Sequence, residues 1–248
     1  MSDRPKSGGP VPQALHADLA AASHILAERG VVDAMGHVSV RHPNAPDRFL
    51  MPRAMAPALV THSDILEYDL ESVACEGEDR KGFIERFIHG EVYKARPDVM
   101  SVVHSHSPSV IPFGLVDVQM QAMFHNAAFI AAGVPVFDIR TDFGTTDMLI
   151  CDCGRGGALA QTLGAGNVAL LRGHGSIACG PTLALAVFRA VYTEVNARIQ
   201  HWTVALASGG PMAALSPDEG LLADVQNEGA SLRAWELWRT QVRRQEGW

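Results

Sequence analysis

Apolar residues at Leu15, Leu19, Ala22, Ile25 and Leu26 recur at helical spacing between Gln13 and Arg29, and Gly30 supplies a stop. The pattern predicts one amphipathic helix. From Gly36 to Arg41 small or polar residues alternate with apolar ones, as in a half-buried strand, and His42 to Asp47 reads as a turn into a second strand over 48–51. Ser63-Asp64 then looks like a capped turn before a short strand, Glu67 to Leu70. Ile84 to Ala95 is helical in period and closed by Arg96-Pro97. The run Met100 to Val103 is short enough to be a buried strand, and Ser107-Pro108 after it opens a further helix. A strand over 133–138, a helix over 145–163 capped by Thr145 or Thr146, and a buried strand over 167–171 follow. Ser176 to Cys179 continues extended. A long helix from Thr182 to about Ala207 and a last one from about Asp218 to Arg244 are separated by Gly209-Gly210-Pro211.

Strands and helices mix without strict alternation, so the economical architecture is α/β, with a central mixed sheet and helices on both sides. No repeat or linker divides it: residues 1–12, rich in Pro, Gly and Ser, read as a flexible tail and 13–248 as a single domain. With 47% apolar residues among 248, the chain can bury a sizeable core. The formal charge of −7 argues against nucleic acid or an anionic membrane as partner, and Arg239, Arg243 and Arg244 read as a solvated helix face. No apolar run is long enough to span a bilayer, so a soluble, cytoplasmic protein is expected. Four cysteines in a chain this long do not form a disulfide framework, and Cys151-Asp152-Cys153 lacks the second pair of a structural zinc site.

Candidate chemistry begins at His104 and His106. Residues i and i+2 of an extended chain point to one face, so two imidazoles can share a divalent cation if a third ligand arrives from elsewhere. Among eleven histidines such a pair is weak evidence alone. The support is a second strand that ends on a histidine, Arg172-Gly173-His174-Gly175.

With these segments, the Gly-x-x-Ser stretch at Gly36 and the glutamate upstream of the pair, the chain resembles the class II aldolase/adducin family from its first helix to the long helix after Gly180. The resemblance implies a three-layer αβα fold around a mostly antiparallel sheet of nine strands or a similar number. It also implies a cyclic homotetramer with sites between subunits. A divalent metal would sit on His104, His106 and His174, and the family's acidic catalytic residue falls at Glu85. Three neutral imidazoles leave a cation its full charge and an open face, and they suit Mn2+ or Zn2+, with Fe2+ or Co2+ as further candidates.

The chain departs from the sugar-phosphate aldolases at all three of their phosphate-holding places. Their hairpin Asn is His37 here, the turn reads Met51-Pro52-Arg53-Ala54, and Phe83 and Ile84 replace the Ser-Ser pair before Glu85. A phosphate site is therefore not expected. Phe83 and Ile84 offer a flat apolar wall for an aromatic ring, Arg53 a fork for a carboxylate, and His37 and Ser39 polar contacts. The chain looks most like the branch that decarboxylates hydroxylated pyridine or benzene dicarboxylates. Glu85 is the first choice for proton transfer, with His37 and His125 as second candidates. His125 lies near the place where family aldolases carry a Tyr that reaches a neighbouring subunit's site. Tyr192 reads as packing and Glu194 as surface. Three competing readings stand beside this one: aldol cleavage of a non-phosphorylated hydroxy-keto acid, a metal-dependent oxygenase on this fold, and an adducin-like binding protein without catalysis.

Overall fold

The turn predicted between the first two strands closes an antiparallel hairpin of β1 (His37–Arg41) and β2 (Arg48–Pro52), with Val40 opposite Leu50. The computed structural model describes residues 4–246, with side chains through Arg243; residues 1–3 of the predicted tail and the Arg244 side chain lie outside the described residues. Within them β3 (Ile65–Asp69), β4 (Ser101–Ser105), β5 (Val136–Phe137), β6 (Val168–Leu171) and β7 (Gly175–Gly180) complete one sheet of seven strands, in the order β3-β2-β1-β4-β7-β6-β5. Every pairing is antiparallel except β5 with β6. The sheet is thus mixed and mostly antiparallel as expected, with seven strands rather than nine.

Alternation along the strands sorts the core into two halves. Val38, Val40, Leu50, Val103 and Ala178 point to one face and pack against α1 (Gln13–Glu28), α5 (Leu183–Ala207) and α6 (Pro217–Glu246). Phe49, Met51, Leu66, Val102, Ile177 and Cys179 point to the other face and pack against α2 (Phe87–Ala95) and α4 (Cys153–Leu163). The result is the three-layer αβα arrangement. Because Val102 faces α2, so does His104 two residues on.

Local chemistry moves several predicted boundaries. The helix expected over 145–163 forms only from Cys153, where the Asp152 side chain accepts the Arg155 N–H at 2.9 Å. Upstream, the backbone N–H groups of Met148 and Leu149 donate to the side chains of Thr146 and Asp147, Ile150 N–H donates to Glu85, and Met148 has φ of 65°. Those donors are unavailable to a helix, so the segment is a loop, preceded by a short helix, α3 (Arg140–Phe143), that the pattern does not predict. The helix expected after Pro108 is a single 3-10 turn, Ile111–Gly114, whose Pro112 has no N–H to extend it. The third strand begins two residues before its predicted start.

Residues 4–12 hold no helix below Pro12 and no strand, yet they are tied to the body. Gly8 N–H and Ser7 Oγ donate to Glu67, Arg48 Nε donates to the Lys6 carbonyl, and Glu76 N–H donates to the Pro5 carbonyl. All four cysteines are free thiols. Among the described residues no helix is long and apolar enough to cross a membrane. Large exposed apolar side chains concentrate on the end of α5 (Trp202, Leu206) and the start of α6 (Leu221, Leu222, Val225).

Candidate metal centre and active-site cavity

One end of the α2-facing side of the sheet gathers the chemistry. Register places His37 directly opposite His104, and the two rings lie 5.1 Å apart between centroids. His106 follows one residue past the end of β4, and the turn between β6 and β7 supplies His174. The close approach of β4 and β7 depends on Gly175, where an added Cβ would stand 2.0 Å from the Ser105 carbonyl oxygen. Gly36 is constrained likewise: its φ is +101°, and a Cβ there would meet Val32 at 2.5 Å and the His104 carbonyl at 3.0 Å.

The three predicted ligand histidines converge. Ring centroids are separated by 5.0 Å (His104 to His106), 5.1 Å (His104 to His174) and 4.7 Å (His106 to His174). Glu85 joins them, and the ligand atoms of all four residues lie within 4.8 Å of one another. Glu85 stands in a 3-10 turn before α2 with φ −89° and ψ 20°, a sparsely populated backbone region common at active sites. One carboxylate oxygen accepts the Ile150 N–H at 3.0 Å, and the other lies 3.5 Å from Nε2 of both His104 and His174.

This donor set fits a divalent cation. Nδ1 of His104 lies 3.1 Å from the Ser176 carbonyl, so it carries the hydrogen and donates, which leaves the Nε2 lone pair free. Nε2 of His106 sits 3.1 Å from that atom, and a cation shared between them removes the opposition of two lone pairs. The buried Glu85 carboxylate, 8% exposed, balances half of a 2+ charge. Nδ1 of His174 is buried without a partner. Burial pushes the Glu85 carboxyl up, but hydrogen bonding and charge from His104 and His174 outweigh that and hold it well below the usual carboxylate range. Burial first, then the neighbouring imidazoles, lowers His106 to about 4. The lowering of His106 favours its neutral, metal-binding form, and the positive charge that Glu85 meets at His104 and His174 is charge that a cation would supply in their place.

Beside this centre opens a cavity of about 490 Å³. Its floor includes His37, Glu85 and His106, and its wall includes Phe83, Ile84, Met35, Met55 and Leu149. Phe83 leans on the His37 ring with centroids 4.6 Å apart. Phe83 and Ile84 thus line the cavity together with Met35, Met55 and Leu149, which the sequence reading did not name.

Three other expected site residues are placed elsewhere. Arg53 does not line the cavity: its Nε donates to Asp64 at 2.7 Å, because the antiparallel β2–β3 register that pairs Pro52 with Ile65 sets the next residue, Arg53, opposite Asp64. Lys81, exposed and without an ion-pair partner among the described residues, is the cation that lines the cavity instead. Ser39 is fully buried; its Oγ bonds Nδ1 of His89 at 2.6 Å and the Tyr93 hydroxyl at 2.7 Å, away from any substrate. His125 is exposed at the head of a 3-10 turn, its carbonyl accepting from Asn227 at 2.7 Å, and it does not line the cavity of its own chain.

The sequence reading missed His89 and Tyr93, which extend the cavity's polar chemistry inward. Nε2 of His89 lies 2.7 Å from Nδ1 of His37. His89 and Tyr93 are four residues apart on α2, a polar stripe on a face otherwise apolar, and that was the available signal. Glu194 corrects its surface assignment. It is 5% exposed and accepts from the hydroxyls of Ser107 and Ser109, the Ser109 N–H and Arg198 Nε, clamping the loop that follows His106. Tyr192 packs among Phe124, Phe188 and Trp238, as expected.

Comparison with known proteins agrees with this picture. The model of the Class II Aldolase and Adducin N-terminal domain matches residues 17–201. The chain is 35% identical over 240 residues to the decarboxylase tropJ of Talaromyces stipitatus, covering 88% of this chain and 90% of that one. It is 28% identical over 241 residues to the 3,4-dihydroxyphthalate decarboxylase of Arthrobacter keyseri, covering 91% and 92%. In fold it is similar to the L-fuculose 1-phosphate aldolase of Glaciozyma antarctica, with a TM-score of 0.77, 22% identity, and coverage of 97% and 96%.

Proposed function

The chain belongs to the class II aldolase and adducin family, and within it we propose that the protein is a metal-dependent carboxy-lyase acting on hydroxylated aromatic or heteroaromatic (di)carboxylic acids. One observation carries the reading. The ligand atoms of three histidines and a carboxylate, within 4.8 Å of one another, border a cavity walled by Phe83, Ile84 and Leu149 rather than by hydroxyls and amides fit for phosphate. The similarity to two proteins named as decarboxylases supports the same choice.

His104, His106 and His174 would hold the cation, with Glu85 beside it. A divalent ion there supplies positive charge that stabilises an oxyanion conjugated to the bond being broken. The cavity is large enough for a substituted single ring, and Phe83 with Ile84 would hold that ring flat and exclude water. Lys81 would receive a ring carboxylate in the role expected of Arg53. The Glu85 carboxylate takes the proton of the substrate's ring hydroxyl on binding. Glu85 returns that proton to the ring carbon that bears the carboxylate, and when the ring-to-carboxylate bond then breaks, carbon dioxide leaves, the bond's electron pair restores the aromatic ring, and the product departs as the phenolate. His125 is retained only as a residue for a neighbouring subunit's site. The apolar side chains on α5 and α6 fit assembly of several copies of the chain.

The test is a screen of hydroxylated aromatic dicarboxylates, 3,4-dihydroxyphthalate first, with Mn2+ or Zn2+ added and carbon dioxide measured. Release of carbon dioxide is the expected result. Release of an aldehyde or pyruvate from a hydroxy-keto acid would move the protein to aldol cleavage. Fewer than about one tightly held divalent ion per chain, with no turnover, would make it a binding protein.

A further inference from the structure

A row of four buried polar side chains runs from α2 through β1 to the cavity: Tyr93, Ser39, His89 and His37. Tyr93 is 1% exposed and Ser39 and His89 are 0% exposed. The links are 2.7 Å from the Tyr93 hydroxyl to Ser39 Oγ, 2.6 Å from Ser39 Oγ to His89 Nδ1, and 2.7 Å from His89 Nε2 to His37 Nδ1. We propose that Tyr93, Ser39 and His89 form a one-directional hydrogen-bond chain that fixes His37 as the Nε2–H tautomer, so that a substrate in the cavity meets a permanent N–H donor selecting an anionic oxygen. The three are positioning residues, and His37 becomes a binding residue rather than a source of protons. The substrate half of this inference rests on the lyase reading; the tautomer half does not.

Counting hydrogens gives the direction. The Tyr93 phenol has one hydrogen, and Ser39 Oγ is the one acceptor bonded to it among the described residues. Ser39 Oγ could accept from both neighbours, but His89 Nδ1 is its only other partner among the described residues, so its own single hydrogen is satisfied only when placed there. A neutral imidazole that accepts at Nδ1 carries its hydrogen at Nε2, so His89 donates to Nδ1 of His37. By the same rule His37 carries its hydrogen at Nε2, its remaining nitrogen, and its ring lines the cavity. The opposite direction would leave the buried phenol hydrogen with no acceptor, which disfavours it by roughly tenfold or more. Burial holds His89 neutral, its pKa lowered to about 3, as the counting requires. A chain that begins at a buried phenol has no route to bulk water, so it orients His37 and cannot refill it with protons.

The direct test is nitrogen NMR of the full-length, zinc-loaded protein labelled with 15N-histidine, at neutral pH. Expected is His37 protonated at Nε2 and bare at Nδ1; a proton on Nδ1 overturns the proposal. His89→Phe should give mixed His37 tautomers and weaken binding of the probe 2,3-dihydroxybenzoate about tenfold. His89→Gln, whose amide can accept from Ser39 and donate to His37, should restore the tautomer and bring binding within about threefold of the parent. If His89→Phe does not fold, Tyr93→Phe serves, with the Nε2–H preference reduced. Unchanged tautomer and affinity in the folded variants would overturn the relay. Nε2–H on His37 without decarboxylation of any acid would sink the lyase reading and leave the relay standing; decarboxylation with Nδ1–H would do the reverse.

Discussion

The floor of the cavity and its wall are built on different principles. Floor residues stand at strand ends or in the turn before α2, where sheet register and buried hydrogen bonds fix them: His104 by the Ser176 carbonyl, Glu85 by the Ile150 N–H, His37 by His89. Among the wall residues, Met35 and Met55 come from loops, and Ile84, at the start of the 3-10 turn that carries Glu85, is 51% exposed; their apolar side chains have no hydrogen bond to fix them. A floor so constrained can serve any substrate that develops an oxyanion. On the proposed reading the wall and rim would decide which substrate is admitted, as loops on a rigid scaffold commonly do.

Substitutions at the two places should separate turnover from selection. His104→Ala should lower turnover by about 10⁴-fold and reduce bound metal, checked by steady-state kinetics with metal analysis. Glu85→Gln should keep the metal while turnover falls by about 10²- to 10⁴-fold; full activity would remove Glu85 from proton transfer. Glu194→Ala tests whether the loop after His106 is clamped as described: hydroxyl donors left unpaired predict a loss of about 2 kcal/mol in denaturant unfolding, with weaker metal binding. At the rim, Lys81→Ala should raise KM for a dicarboxylate about tenfold with kcat nearly unchanged, whereas Arg53→Ala should leave KM alone and cost under about 1 kcal/mol of stability. If Arg53→Ala and Lys81→Ala exchanged effects, the assignment of the carboxylate anchor would be reversed.

Much of the floor was legible in the sequence because its signals are short-range. A His-x-His at a strand end and Gly-His-Gly at another state both the residue type and the direction in which it points, and Phe83-Ile84 beside Glu85 supplies two of the residues that line the cavity. A mixed sheet with helices on both sides followed from period and turn residues, and its mostly antiparallel three-layer form from the family resemblance. What was not legible depends on partners distant in sequence or on choices among neighbours. Arg53 could face substrate or Asp64, and the pairing of β2 with β3 favoured Asp64. His89 reads as an ordinary core histidine until β1 brings His37 and Ser39 against it. Glu194 looks like a surface charge on a long helix, and only the folded loop supplies the serines that neutralise its burial. The lost half of the 145–163 helix reflects side chains that took the backbone donors, an outcome that hydrophobic period does not register.

Gly175 leaves no space for even a methyl group between β4, which ends beside His104 and His106, and the start of β7, which follows His174. Evolution cannot adjust the spacing of these ligands by small steps at that seam, since the first step already collides with backbone. New specificities on this scaffold should therefore arise through exchange of loop residues around an unaltered centre, and directed-evolution libraries are best aimed at positions such as 35, 55, 81 and 84.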